Sequence, residues 1–306
     1  MLPQESCYVY MVRCENGSLY TGWTNDLLKR LNSHATAKGA RYTKAFGASH
    51  LAYAEVLPSR GEALRREAQL KALSKAEKEA LAAGFEPEKL VMLRLATRKD
   101  AEGIQRIFSH YVQHSTASFL YQPPTVEQYQ KELTHLLKTL PFFVAENGTG
   151  QLVGYACAHG WRYASGAYAW DVETTIYLAP EARKSGIGSK LYHALLGALA
   201  LQGYWNAYAV LADPNPASEA FHEAFGFVCE GRQARTGWKN GWQGISYWLM
   251  DLHPGTEEPE RLPHPLTKQQ LNQLAAAAQQ GANWKQMVEE YAVVMPAGPA
   301  ESESEI

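Results

Sequence analysis

Cysteine is scarce. The 306 residues hold four, Cys7, Cys14, Cys157 and Cys229, and no two form a CxxC pair. That argues against a disulfide framework or a cysteine-based zinc site and makes a reducing cytoplasm the default compartment. No apolar run reaches the roughly 18 residues that a membrane span needs. The opening Met-Leu-Pro-Gln-Glu-Ser has no basic segment leading into an apolar one, so neither a signal peptide nor a membrane partner is expected. Internal repeats, a GxGxxG fingerprint and a P-loop are also absent. Charge of one sign is missing overall, with a formal net charge of −2. Yet the first 84 residues carry 12 Lys and Arg against 8 Asp and Glu, and the last 53 carry 3 against 8. A mildly basic front could meet an anionic partner, but this excess alone does not identify nucleic acid. What remains is globular: 46% hydrophobic and 20% charged residues, over a length that suits two domains.

Composition divides the chain into residues 1–84, 85–253 and 254–306. The first segment reads as two strands, Cys7–Arg13 and Ser18–Thr24, joined at the turn Glu15-Asn16-Gly17. A helix follows from Asn25, with Leu27, Leu28 and Leu31 in one stripe. A loop with Gly39 and Gly47 leads to a strand, Leu51–Leu57, and a helical run Gly61–Ala83 closes at Gly84. The second segment reads strand (Val91–Ala96), helix (Asp100–His114), helix (Thr125–Leu140), then strands Phe142–Glu146, Leu152–His159 and Trp170–Leu178. Helix Gly188–Gln202, strand Trp205–Leu211, helix Ala217–Phe225 and two last strands complete it. The predicted class is α/β (α+β): a small αβ domain, then a mixed sheet with helices on both faces. The third segment reads as a Pro/Glu-rich linker, two short helices (Thr267–Gln280, Asn283–Ala292) broken at Gly281, and an acidic disordered end.

The sharpest chemical feature is Arg183-Lys184-Ser185-Gly186-Ile187-Gly188, between an apolar strand and an apolar helix. Glycines let the backbone turn tightly and approach a ligand closely. Free N–H groups at a helix N-terminus attract phosphate oxygens. Taken alone, the stretch could equally be a turn that needs glycine.

With Val172-Glu173-Thr174-Thr175-Ile176-Tyr177, Asn215-Pro216-Ala217-Ser218, Phe221–Phe227, Gly237-Trp238-Lys239 and Tyr247-Trp248, residues 90–253 resemble the GNAT acyl-CoA-dependent N-acetyltransferases, in the phosphinothricin and methionine sulfoximine acetyltransferase branch. The resemblance implies a mixed-sheet fold and acetyl-CoA as acetyl donor. The diphosphate would rest on Arg183, Lys184, Ser185, Gly186, Ile187, Gly188 and Ser189, with Tyr177, Leu178, Asn215 and Ser218 along the coenzyme. Strands ending near Tyr177 and Tyr208 would splay to admit the pantetheine. Attack needs a neutral amine, and Glu173 and His222 match positions proposed as the base. Tyr247 would protonate the leaving thiolate. The substrate side would hold Arg162 and Phe119, for a small amine or amino-acid-like acceptor, and homodimerisation is implied by the branch. The branch usually has two basic residues in the Trp161–Tyr168 loop, and here only Arg162 is basic. The residues alone leave other roles open: a strand salt bridge for Glu173, core packing for His222 and Tyr247, helix capping for Asn215 and Ser218, and a solvated loop for Arg162.

Residues 1–84 resemble a small GIY-YIG nuclease domain of the single-domain bacterial type. The carriers are Tyr8-Val9-Tyr10, Asn16–Gly22, Asp26–Leu31 with His34, Lys38–Thr43 and Arg66–Lys71. The resemblance assigns Tyr10 and Tyr20 to nucleophile activation, Arg30 to the scissile phosphate, His34 to proton transfer and Glu67 to Mg2+ or a similar divalent cation. Packed strand tyrosines and solvated i,i+4 helix pairs are the plainer alternatives. Three functions follow: an N-acetyltransferase carrying a nuclease-type module, a metal-dependent endonuclease with a regulatory or partner-modifying acetyltransferase half, or a fusion whose front only docks nucleic acid.

Overall fold

The structure, a computed structural model, describes residues 6–35, 40–162, 165–255, 258–259 and 261–294. A continuous apolar run, buried on both faces, builds β1 (Cys7–Arg13), and the less buried β2 (Leu19–Thr24) pairs with it. Their antiparallel hairpin turns at Gly17, whose φ of 79° suits glycine. Next come α1 (Leu27–Ala35), α2 (Arg41–Phe46), β3 (His50–Leu57), α3 (Arg60–Ala72) and α4 (Lys75–Ala83). The small sheet has the order β2-β1-β3. Two readings of this segment are corrected. The glycine loop contains the short helix α2, which ends at Gly47, while Lys38 and Gly39 lie outside the described residues. The single helical run is two helices, because Ser74 starts a new one through a capping box with Glu77.

The larger sheet follows the predicted order of elements. These are β4 (Val91–Leu95), α5 (Ala101–His114), α6 (Val126–Leu136), β5 (Phe142–Asn147), β6 (Leu152–Gly160), β7 (Asp171–Leu178), α7 (Ile187–Gln202), β8 (Asn206–Asp213), α8 (Pro216–Phe225), β9 (Val228–Trp238) and β10 (Trp242–Asp251). The strand order is β4-β5-β6-β7-β8-β10-β9, antiparallel except for β7 against β8. The α6 helix stops at Leu136, four residues short of the predicted end, and the chain leaves through a turn closed by Leu140 N–H on the Leu136 carbonyl.

The last helices are α9 (Lys268–Gln279) and α10 (Trp284–Val294), separated at Gly281, φ 96°. They pack on α7, which is buried almost all round. Leu274, Trp284, Met287 and Tyr291 join the same core as Leu195, Leu196 and Leu199. Met287 and Leu274 lie against Gly197 of α7, where a Cβ would be in ordinary contact with the Met287 sulfur at 3.5 Å. The Gln279 amide pairs with the β4 edge, accepting from Leu93 N–H (3.1 Å) and donating to the Val91 carbonyl (2.8 Å). Among the described residues no helix is long and apolar enough to cross a membrane, and all four cysteines are free thiols.

Candidate active sites

The larger sheet splits at one place. β7 and β8 pair only through Asp171–Asn206, Val172–Ala207 and Glu173–Tyr208. Beyond that point β7 continues against β6 alone and β8 against β10 alone. Thr174 sits where the strands part. Its hydroxyl donates to the Tyr208 carbonyl (2.9 Å), so it accepts from the Tyr192 hydroxyl (2.7 Å). Tyr192 is fully buried in α7. A side-chain wedge therefore replaces the next rung of the ladder.

The glycine stretch lies beside this split. Lys184 (φ 59°) and Gly186 (φ 79°) are both left-handed, and they turn the chain into α7. The first α7 amide to close on its own helix is that of Lys190, on the Gly186 carbonyl (3.2 Å). The preceding amides at the helix start keep their donors. Residues 183–186 are exposed. A Cβ at Gly186 would meet nothing within 4 Å, whereas one at Gly188 would stand 3.2 Å from Leu178. Gly186 thus serves backbone conformation and Gly188 close packing. Ser185 ties its hydroxyl to the Ala182 carbonyl, and the Arg183 guanidinium lies over the Tyr111 ring at 5.1 Å. An open set of amides with cationic neighbours fits a diphosphate.

Strand alternation sorts the predicted residues by face. Val172 and Thr174 point toward α7, so Glu173 and Tyr177 point toward α5. Tyr208 shares the Glu173 face through its register, and Tyr247 shares it through its pairing beside Leu249–Tyr208. The Glu173 carboxyl is half-buried, and desolvation raises its pKa above the ordinary value. His159 is its partner across β6. His222 is on the other side. It is 2% exposed, packs against Tyr192 and Phe227, and its Nδ1–H donates to the Ser218 carbonyl (2.8 Å). Burial lowers its pKa. The two candidate bases therefore lie on opposite faces of the sheet, Glu173 on the α5 face beside the split and His222 on the α7 face.

Asn215 caps α8 by accepting from Ser218 N–H (3.4 Å). Arg162 lies over Trp161 and Tyr168, and Trp161 stacks on Tyr208 at 4.3 Å. Tyr163 and Ala164 beside it are outside the described residues. Phe119 packs against Gly237, where a Cβ would come within 2.5 Å of its ring.

A second cluster sits on the small sheet, and its proton positions follow from its partners. Thr43 donates to the Ala40 carbonyl (3.0 Å), so its oxygen accepts from His34 Nδ1–H (2.6 Å). The His34 Nε2 lone pair then accepts from the Tyr10 hydroxyl (2.8 Å). Arg30 Nε–H donates to that same hydroxyl oxygen (2.9 Å). Burial and the Arg30 charge lower the His34 pKa to about 4, and burial raises Tyr10 to about 12. Tyr20 packs edge-on to His34 at 5.4 Å. Gly22 makes room, since a Cβ there would meet the Tyr10 hydroxyl at 2.8 Å. Glu67 on α3 lies close enough for its charge to act on Tyr10, and its Oε1 takes a 2.9 Å bond from Lys71. No group of three potential metal ligands occurs among the described residues. A lone carboxylate suits a cation that keeps most of its waters and supplies no closed cage.

The sequence reading gave no role to Thr174, Tyr192, Thr43 or Lys239. Thr174, Thr43 and Lys239 lay within quoted motifs, but nothing local signals what they touch.

A parallel strand pair that parts beside a glycine-opened helix N-terminus defines an acyl-transfer domain. The small sheet with its Tyr-His-Arg cluster defines a nuclease-type domain. Comparison with known proteins agrees. The acetyltransferase (GNAT) domain family matches residues 93–243, and the GIY-YIG catalytic domain family matches residues 6–80. Phosphinothricin N-acetyltransferase of Streptomyces viridochromogenes is 35% identical over 173 residues, 56% of this chain and 93% of that protein. A UPF0213 protein of Pseudomonas aeruginosa is 50% identical over 76 residues, 25% of this chain and 73% of its own. The crystal structure of a phosphinothricin acetyltransferase from Sinorhizobium meliloti in complex with acetyl-CoA superposes with a TM-score of 0.53 at 31% identity, over 56% of this chain and 95% of that one. An acetyltransferase from Salmonella typhimurium with its cofactor acetyl-CoA gives 0.52 at 25% identity, over 56% and 98%. The chain belongs to the GNAT acetyltransferases and carries a GIY-YIG domain in front. By class it is an N-acetyltransferase with a nuclease-type module.

Proposed function

We propose that the larger domain moves an acetyl group from acetyl-CoA to the amine of a small amino-acid-like acceptor. The parting of β7 from β8 after Glu173–Tyr208, beside the open amides before Lys190, carries this reading. Arg183 and the amides of Lys184 to Ser189 would hold the diphosphate. When bound, acetyl-CoA supplies an activated thioester carbonyl. The chain does the rest. A β7 amide left without a strand partner donates to the carbonyl oxygen as negative charge gathers there. Glu173 takes the proton of the incoming ammonium, and desolvation shifts its pKa upward, the direction that strengthens a base. Tyr247, on the same face, returns a proton to the departing sulfur. Arg162 and Phe119 contact the acceptor. Turnover of labelled acetyl-CoA across amino acids, their analogues (phosphinothricin first) and polyamines tests this. Absence of acetylation of any amine would sink it.

A second activity is supported by the fixed proton order Arg30 → Tyr10 → His34 → Thr43. Neutral His34 can take the Tyr10 proton while Arg30 neutralises the phosphate, which is the equipment for cutting a phosphodiester. Glu67 is the residue that would hold a divalent cation. Nicking of nucleic acid that requires Mg2+ and disappears with Glu67→Ala tests this reading.

A further inference from the structure

We propose that Lys239 is a positioning residue for the acceptor side of the acetyl-transfer cleft, latching the loop of residues 115–124 across the two arms of the split sheet. The inference rests on the acetyl-transfer reading above.

The loop leaves the end of α5 and lies on the Glu173 face. One arm of the split holds it through the Tyr177 hydroxyl of β7, which donates to the Ala117 carbonyl (3.3 Å). The other arm is the β9–β10 hairpin, whose tip folds over the same loop. Phe119 rests on Gly237, and the Tyr121 hydroxyl donates to the Trp238 carbonyl. Between them stands Lys239, only 7% exposed. Its Nζ donates to the Val112 carbonyl (2.7 Å) in the last turn of α5 and to the Ser118 carbonyl (2.7 Å) in the loop. The loop is thus tied to β7 at Ala117 and to the hairpin at Ser118, Phe119 and Tyr121. It crosses the gap where β7 and β8 no longer pair.

A buried ammonium is an expensive way to close a turn. Among the described residues Lys239 has two carbonyls and no carboxylate partner. Its charge is met by the negative end of α5, where the last carbonyls lack helical donors. An apolar side chain such as Met could fill the same space but has no N–H to give to either carbonyl. The hairpin presents Lys239 firmly. Its N–H donates to the Gly241 carbonyl (2.9 Å), and its own carbonyl accepts from the Gln243 amide (3.0 Å). The coenzyme cradle at residues 183–189 makes none of these contacts. Loss of the latch should therefore loosen the acceptor wall and spare the coenzyme.

The test uses the full chain with L-phosphinothricin as the acceptor probe. For Lys239→Met the KM for phosphinothricin should rise about tenfold, from misplacement of the wall rather than loss of chemistry. The Kd for acetyl-CoA, read by calorimetry, should stay within about twofold, and Lys239→Arg should recover most of the affinity. Chymotrypsin should cut at Phe119, Leu120 or Tyr121 about tenfold faster in Lys239→Met. Tyr121→Phe alters an exposed ring and does not threaten folding. It should shift both readouts in the same direction by a smaller factor. Unchanged KM and unchanged cleavage in both variants would overturn the latch. If the natural chain does not acetylate phosphinothricin, that acceptor fails, and the cleavage rates still decide for or against the latch.

Discussion

Tyr10 and His34 share a proton whose direction is settled: the phenol donates to Nε2 at 2.8 Å, because Thr43 has already claimed Nδ1–H. The residues are 24 apart in sequence and meet only because α1 lies across the small sheet. This bond makes His34 a neutral acceptor rather than a cation.

It also sets a pH dependence. The folded pKa of His34 is about 4, below its unfolded value. The unfolded chain then binds more protons, so the stabilisation is complete above about pH 6.5 and is lost as pH falls toward 4. Thermal unfolding of the first domain should shift downward over that window, and His34→Gln should flatten its share of the shift. Nitrogen NMR should find the Nδ1–H tautomer and no titration above pH 5.

Glu173 and His222 are separable by experiment. Glu173→Gln should lower the acetyl-transfer rate by about 10²-fold or more and remove the acidic limb of the pH profile. It should not lower Tm, because a half-buried carboxyl with no ion-pair partner among the described residues is replaced by a neutral isostere. His222→Gln should do the reverse. It loses an aromatic neighbour of Tyr192 and Phe227, so Tm should fall, while the acidic limb stays where it was.

The two glycines of the cradle should respond differently. Gly186→Ala puts a side chain at φ 79°, costing about 1–2 kcal/mol of local conformation and weakening acetyl-CoA binding modestly. Gly188→Val crowds Leu178, already 3.2 Å from a Cβ, and pushes the first turn of α7 away. Calorimetry should register the larger loss of coenzyme affinity in the second variant.

Glu67→Ala should abolish any Mg2+-dependent nicking and leave acetyl transfer unchanged, since Glu67 pairs with Lys71 and acts on Tyr10 within the small domain. Loss of both activities together would mean that the domains act as one catalytic unit.

Gln279→Ala tests the role of the last helices. It strips Leu93 N–H and Val91 C=O of their partners on the β4 edge. Leaving buried polar groups unpaired costs about 1–3 kcal/mol, so urea unfolding of the larger domain should shift by that amount.

Where the sequence reading succeeded, the signals were local. The β-α-α-β-β-β-α-β-α-β-β order follows from alternation, helical spacing and turn residues. Where it missed a break, at Ser74, the stop was made by a side-chain cap inside an uninterrupted helical composition. The α2 helix was hidden for a similar reason, as six residues between glycines are too few to show a period.

By itself the sequence determined the elements, the two glycines that open α7 and the residue types that acetyl transfer and phosphodiester cleavage require, because each of these depends on neighbours a few residues away. The tertiary structure decided which of those residues face a common space. Glu173 and His222 lie on opposite faces, because strand register and helix placement assign each side chain to one side of the sheet. Lys239 finds the carbonyl of Val112, 127 residues earlier, because a hairpin folds back over a loop, and no local pattern encodes a contact at that separation.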